Sequence, residues 1–178
     1  MVKVLATIVV GLVVAVLVYA ATRPDTFRVQ RSASINAPPQ KIFPLINDLR
    51  RFNTWNPFTQ KDPGMKGNYS GPSDGKGAAY AFSGNKNVGE GSIAIAESSP
   101  PSKVTMKLDM IRPFEAHNIV EFTVEPNGGS TNVTWAMHGP NPFVAKLMSI
   151  FFSMDSMIGK DFEAGLANLK AVAEGSER

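Results

Sequence analysis

The hydrophobic pattern has three rhythms along the chain. From Val4 to Ala21 it is continuous: 16 of 18 residues are apolar, interrupted only by Thr7 and Gly11. At 1.5 Å per residue such a helix is about 27 Å long, close to the roughly 30 Å of a bilayer's hydrocarbon core. Arg23 and Pro24 close the run, so residues 1–22 are expected to form a single membrane-spanning anchor. A cleaved signal peptide ending at Val18-Tyr19-Ala20, with a secreted or periplasmic product, is the alternative. The anchor is preferred because the apolar run exceeds the usual signal core of about 7–15 residues and only Lys3 precedes it. Lys3 on one side and Arg23, Arg28 and Arg31 on the other leave the orientation open.

Past residue 25 the period drops to two. Thr26–Ile35 puts Phe27, Val29, Ala33 and Ile35 on one face and Arg28, Gln30 and Ser34 on the other, as in a half-buried strand. Arg31 falls on the apolar face, which predicts a frayed strand or a sheet edge. Asn36-Ala37-Pro38-Pro39 opens a helix running to Asp48, with Ile42, Phe43 and Ile46 on its buried side. A second short helical turn at Leu49–Phe52 leads into Trp55-Asn56-Pro57-Phe58. Eight of the 15 glycines lie between Lys61 and Ser92, predicting short strands and tight turns at Met65–Ser70, Gly77–Ser83 and Gly89–Glu97. Then Lys103–Met110 turns Val104, Met106, Leu108 and Met110 to one side, and Asn118–Glu125 turns Val120, Phe122 and Val124. After the Asn127-Gly128-Gly129 hairpin turn, Thr131–His138 does the same with Val133, Trp135 and Met137.

Beyond Pro140 and Pro142 the period lengthens to that of a helix. Leu147, Phe151, Met154, Ile158, Phe162, Leu166 and Leu169 form a stripe, predicting one helix of about thirty residues, bent near Ser153–Asp155. Its first part, Phe143–Phe152, is apolar almost all round; burial is expected, with a gate to a cavity or a contact with lipid as alternatives. A sheet with one apolar face and a long amphipathic helix must cover each other, so residues 23–175 read as one α+β domain.

Composition narrows the chemistry. Cysteine is absent and only two histidines occur, which removes disulfides, thiolate sites and cysteine nucleophiles and gives no basis for a histidine-rich metal centre. No metal or cofactor is expected. A net charge of +3 with 19% charged residues fits neither a disordered tail nor a nucleic-acid binder. Residues 22–112 carry thirteen basic and seven acidic groups, and residues 113–178 carry four and eight. This is read as scattered surface charge, with a basic half facing anionic headgroups as the alternative. Gly71–Gly77 has neither the spacing nor the Ser/Thr after Lys76 of a phosphate loop.

The motifs Ile35-Asn36-Ala37-Pro38, Ile42-Phe43, Trp55-Asn56-Pro57-Phe58, Thr131-Asn132-Val133-Thr134-Trp135 and Asp161-Phe162-Glu163-Ala164-Gly165-Leu166, in this order, resemble the START/polyketide-cyclase-like (SRPBCC) superfamily. The similarity spans about residues 26–173 and is greatest to its bacterial polyketide cyclase/dehydrase-like branch. The resemblance implies a helix-grip fold: a curved antiparallel sheet of six or seven strands around the C-terminal helix, with two short helices after the first strand. It also implies a hydrophobic cavity between sheet and helix.

Combining the inward registers with that fold gives an expected cavity lining of Trp55, Tyr80, Phe82, Met106, Leu108, Met110, Phe122, Trp135, Met137, Phe151, Met154, Ile158 and Phe162. Methionine-rich walls adapt to varied apolar ligands. Acid–base groups are scarce on the inward registers, and His138, Tyr80 and Asp155 are the weak catalytic candidates. His138 shares the outward register of Asn132 and Thr134, and His117, Glu121 and Asp109 also point outward. The expected function is therefore a membrane-anchored holder of a hydrophobic small molecule or lipid. A cyclase/dehydratase-like enzyme on an aromatic or polyketide-like substrate and an interaction module with a filled core are the alternatives.

Overall fold

The computed structural model describes residues 2–150 and 153–175. An apolar helix, α1 (Val2–Ala21), precedes β1 (Thr26–Ile35), and three short helices follow: α2 (Pro39–Asn47), α3 (Leu49–Trp55) and α4 (Pro57–Lys61). Next come β2 (Lys66–Ser70), β3 (Ala79–Ser83), β4 (Glu90–Ser99), β5 (Lys103–Arg112), β6 (Ala116–Asn127) and β7 (Ser130–Pro140). The chain closes with α5 (Phe143–Met148) and α6 (Met154–Glu174).

The strands form one antiparallel sheet in the order β1-β7-β6-β5-β4-β3-β2. The first strand thus pairs with the last, and the two outer strands are β1 and β2. Arg31 does not fray β1: it stays in the ladder opposite Trp135. Because β1 is an edge strand, the Arg31 guanidinium reaches sideways to α6, donating to Asp155 Oδ1 at 2.7 Å and Glu163 Oε1 at 2.6 Å. Gly159 leaves the room for it, since a Cβ there would overlap Arg31 Nη2.

Only two short helices were expected after β1, and the third has a local cause. Asn56-Pro57 reads as a break, yet Asn56 Oδ1 accepts from the Phe58 amide at 3.2 Å and Pro57 takes the first helical position. Asp48 caps α3 in the same way, accepting from the Arg50 amide at 2.8 Å. The single long final helix is corrected to two. Ser153 caps α6 by accepting from the Ser156 amide at 3.3 Å, so the expected bend is a helix start. Gly175, at φ 75°, ends α6 in the left-handed conformation that glycine adopts without strain.

The inner face of the sheet packs against α2, α3 and α6. Trp55, Phe122, Phe162, Ile42, Ile46 and Leu169 are buried there with hardly any exposed surface. Trp55 meets Phe52, Phe122 and Trp135 edge-on at centroid distances of 4.8, 6.0 and 5.8 Å, and its Nε1 donates to the Leu45 carbonyl at 2.8 Å. Phe162 of α6 stacks on Trp135 at 4.2 Å and 12°. This aromatic cluster fixes the helices on the sheet, and the space beside it stays open.

Candidate functional site

The open space is a cavity of about 230 Å³ between the sheet, α3, α4 and α6. The sheet contributes Tyr80, Phe82, Ile93, Leu108, Met110, Asn118, Val120, Trp135 and Met137; Val88 comes from the β3–β4 turn. The helical side contributes Phe52, Asn53, Asn56, Phe58, Ile158 and Phe162, and Met65 closes a corner ahead of β2. Register explains why these residues meet: Tyr80 pairs with Ile93, Ile93 with Leu108 and Leu108 with Asn118, making one row across four adjacent strands, and the Asn118 amide lies over Gly139 on the next strand.

Of the thirteen residues expected in the lining, Tyr80, Phe82, Leu108, Met110, Trp135, Met137, Ile158 and Phe162 lie in the cavity wall. Trp55, Met106 and Phe122 do not. They are packed into the aromatic core with no room left beside them, because inward register places a side chain in the interior without deciding which part of it is filled. Met154, at the start of α6, is 37% exposed and stands off the cavity. Phe151 lies outside the described residues.

The three catalytic candidates are scattered. His138 sits on the outer face of β7, with Nε2 3.6 Å from Glu121 Oε2. Asp155 is in the exposed first turn of α6, held by Arg31, which keeps its carboxyl below the usual carboxylate range. Tyr80 alone lines the cavity. Burial, and secondarily Tyr69 beside it, pushes the Tyr80 phenol above its usual value, so at neutral pH the hydroxyl is a hydrogen-bond donor and not a base. Among the described residues the wall holds no Asp, Glu, His, Lys or Arg. What it can do chemically is bury apolar surface and donate or accept a few neutral hydrogen bonds.

Sequence reasoning missed the polar part of this wall. Asn53 donates to the Tyr69 hydroxyl at 2.8 Å, and Asn56, besides capping α4, donates to Asn53 Oδ1 at 3.4 Å. Asn118 shares its register with Val120 and Phe122, and that parity was the available signal. Trp135 Nε1 is a further buried donor with no partner among the described residues, but it is shut off from open space.

Solved structures share this architecture. Protein MLL2253 from Mesorhizobium loti superposes with a TM-score of 0.62 at 14% identity, covering 85% of this chain and 100% of its own. Protein CV1439 from Chromobacterium violaceum gives 0.58 at 14% identity, covering 85% and 99%. The Aha1 dimer from Colwellia psychrerythraea gives 0.56 at 18% identity, covering 85% and 99%. At such identities the likeness is one of fold. A comparison with curated proteins finds no match. Residues 26–174, from the first strand to the end of the last helix, match the family described as "Polyketide cyclase / dehydrase and lipid transport", and the chain belongs to that family.

Proposed function

We propose that the protein binds a hydrophobic small molecule or lipid in the cavity between the sheet and α6, and that α1 tethers it to a membrane. The observation that carries this reading is the cavity wall itself: aromatic, aliphatic and methionine side chains with three asparagine amides, one phenol and no ionisable acid–base pair among the described residues. Such a surface holds an apolar ligand and offers no proton-transfer machinery.

The tether has support in α1. Its 20 residues span about 30 Å, and its apolar side chains face outward along nearly the whole length instead of joining the core. The cavity also lies toward the end of the sheet where the tether arrives. β1 begins there with Thr26 opposite Pro140, and the β3–β4 turn with Val88 and the β5–β6 turn next to Met110 lie at that same end. Ile111 at the end of β5, Phe114 in the β5–β6 turn, and Phe143 and Val144 on α5 are exposed, Phe114 at 71%. An apolar rim beside an apolar anchor favours loading of the ligand directly from the bilayer.

The test uses the full-length chain in lipid nanodiscs. Native mass spectrometry and lipid extraction are expected to recover an apolar molecule with the protein, and Leu108→Trp, which fills the cavity, is expected to release it. Recovery of none, together with no uptake of a naphthalene-based fluorescent probe, overturns the binding reading. The intact mass of the membrane-bound protein tests the tether: a chain lacking residues up to about Ala20 is the cleaved form.

A further inference from the structure

We propose that the ligand is electrically neutral and carries a hydrogen-bond-accepting oxygen, which Asn118 holds. This deepens the binding reading above and rests on it.

Asn118 is 9% exposed and lines the cavity from the centre of the sheet. The other two asparagines of the wall are engaged, Asn53 with Tyr69 and Asn56 with Phe58 and Asn53. The Asn118 side-chain amide makes no hydrogen bond to any of the described residues. Its Oδ1 lies over Gly139 on the neighbouring strand, where a Cβ would overlap it. With Oδ1 turned to β7, the amide's N–H₂ is the polar group left for a ligand. Around it the wall is apolar: Leu108 is its cross-strand partner, and Val120 is the next residue on its own inward register.

Charge decides the class of ligand. A carboxylate brought into this wall loses its hydration and meets no cation, so a carboxylate head is rejected from the interior. A ketone, ester, amide or ether oxygen loses far less hydration and recovers a hydrogen bond from Asn118. Volume sets the size: an apolar cavity of about 150 Å³ accepts benzene, so the 230 Å³ here suits a two-ring aromatic or a chain of comparable bulk.

Three probes of nearly equal shape separate these possibilities: 2-acetylnaphthalene, 2-isopropylnaphthalene and 2-naphthoate. They are titrated into the full-length chain in nanodiscs, wild type and Asn118→Leu, so that partition into lipid cancels between the two proteins. The expected result is that Asn118→Leu weakens the ketone about tenfold and leaves the hydrocarbon unchanged or tighter. In the wild type the naphthoate binds at least about tenfold more weakly than the ketone. Side-chain amide NMR of the unmutated protein supplies a readout that does not depend on the variant folding: the ketone is expected to shift the Asn118 N–H₂ signals, and the hydrocarbon far less. Naphthoate matching the ketone, ketone affinity indifferent to Asn118→Leu, or an unmoved Asn118 signal overturns this proposal while the cavity reading stands. No binding by any of the three, the hydrocarbon included, overturns both.

Discussion

Two glycines on α6, six residues apart and both buried, are expected to respond oppositely to the same substitution. Replacing a helix-interior glycine by alanine favours the helix by about 1 kcal/mol through the backbone alone. At Gly165 the new Cβ would come within 2.5 Å of Trp135 Cζ3 and 3.0 Å of Pro57 Cδ. Neither neighbour has freedom to retreat. The Trp135 ring is stacked on Phe162 at 4.2 Å, lies 5.0 Å from Phe122, and has Trp55 edge-on at 5.8 Å, while Pro57 is the first residue of α4. Overpacking of this kind costs about 1–3 kcal/mol, and the misfit here is at its upper end, so Gly165→Ala is expected to lose about 1–2 kcal/mol net. At Gly159 the three atoms nearest the new Cβ all belong to the Arg31 guanidinium, the far end of a flexible side chain that is 25% exposed and can swing toward solvent. Gly159→Ala is therefore expected to leave stability unchanged or raise it by up to about 1 kcal/mol. Urea unfolding in mild detergent, followed by tryptophan emission, reads both variants, because Trp55 and Trp135 sit at the centre of the cluster. A Gly165→Ala variant as stable as wild type, or a reversed order of the pair, would refute the claim that the aromatic cluster is rigid.

Three further outcomes are expected. Thr131 is fully buried and donates to the Ala37 carbonyl at 2.7 Å, so Thr131→Val should cost about 1–3 kcal/mol in the same urea assay by leaving that carbonyl unpaired. Glu121 sits on the outer face, 2.8 Å from Lys103 Nζ and 3.6 Å from both Arg28 Nη1 and His138 Nε2. The Lys103 hydrogen bond holds its carboxyl below the ordinary 4.5. Its contribution is thus complete above that value and is lost as the pH falls through the lower folded-state value; Glu121→Gln should flatten the acid limb of a stability-versus-pH curve, and an unchanged limb would contradict this. Phe114→Asp combined with Ile111→Asp should slow probe transfer from vesicles about tenfold without changing equilibrium affinity, and an unchanged rate removes that rim from the loading path.

Most of the fold was legible because its signals are local and repeated. Period-two alternation located four strands to within a few residues, glycine density and tight turns located the other three, and the Asn127-Gly128-Gly129 turn located the last hairpin. What failed depended on capping: Asn56 and Ser153 look like interruptions in the sequence and are helix starts in the structure. The cavity lining was legible in kind but not in extent. Parity says that Met106, Phe122 and Leu108 all point inward, yet only Leu108 meets open space, because whether an inward residue touches a void depends on how far α3 and α6 reach over it. Asn118 was overlooked for a simpler reason: a polar residue at the start of an alternating run reads as its flank, although its register is that of Val120.

The position of the void follows from where the inner face lacks side chains of its own. One cross-strand row runs Arg31, Trp135, Phe122 and Val104, and the helices press onto it to form the solid aromatic core. Toward the end of the sheet where β1 begins, with Thr26 opposite Pro140, the rows contain glycine at 67, 91 and 139. There the larger neighbours lean over bare backbone: the Tyr80 phenol over Gly67, the Met110 sulfur against Gly91 and the Asn118 amide over Gly139. Side chains that lie along the sheet do not reach α6, and the gap they leave is the cavity. A methyl group at 139 would lift Asn118 off β7 and into that gap, so Gly139→Ala should shrink the cavity and move the amide at once. If the three glycines create the site, Gly139→Ala weakens the ketone and hydrocarbon probes together, whereas Asn118→Leu separates them. A Gly139→Ala variant that binds both probes as the wild type does would mean that α6, not the bare rows of the sheet, determines the space.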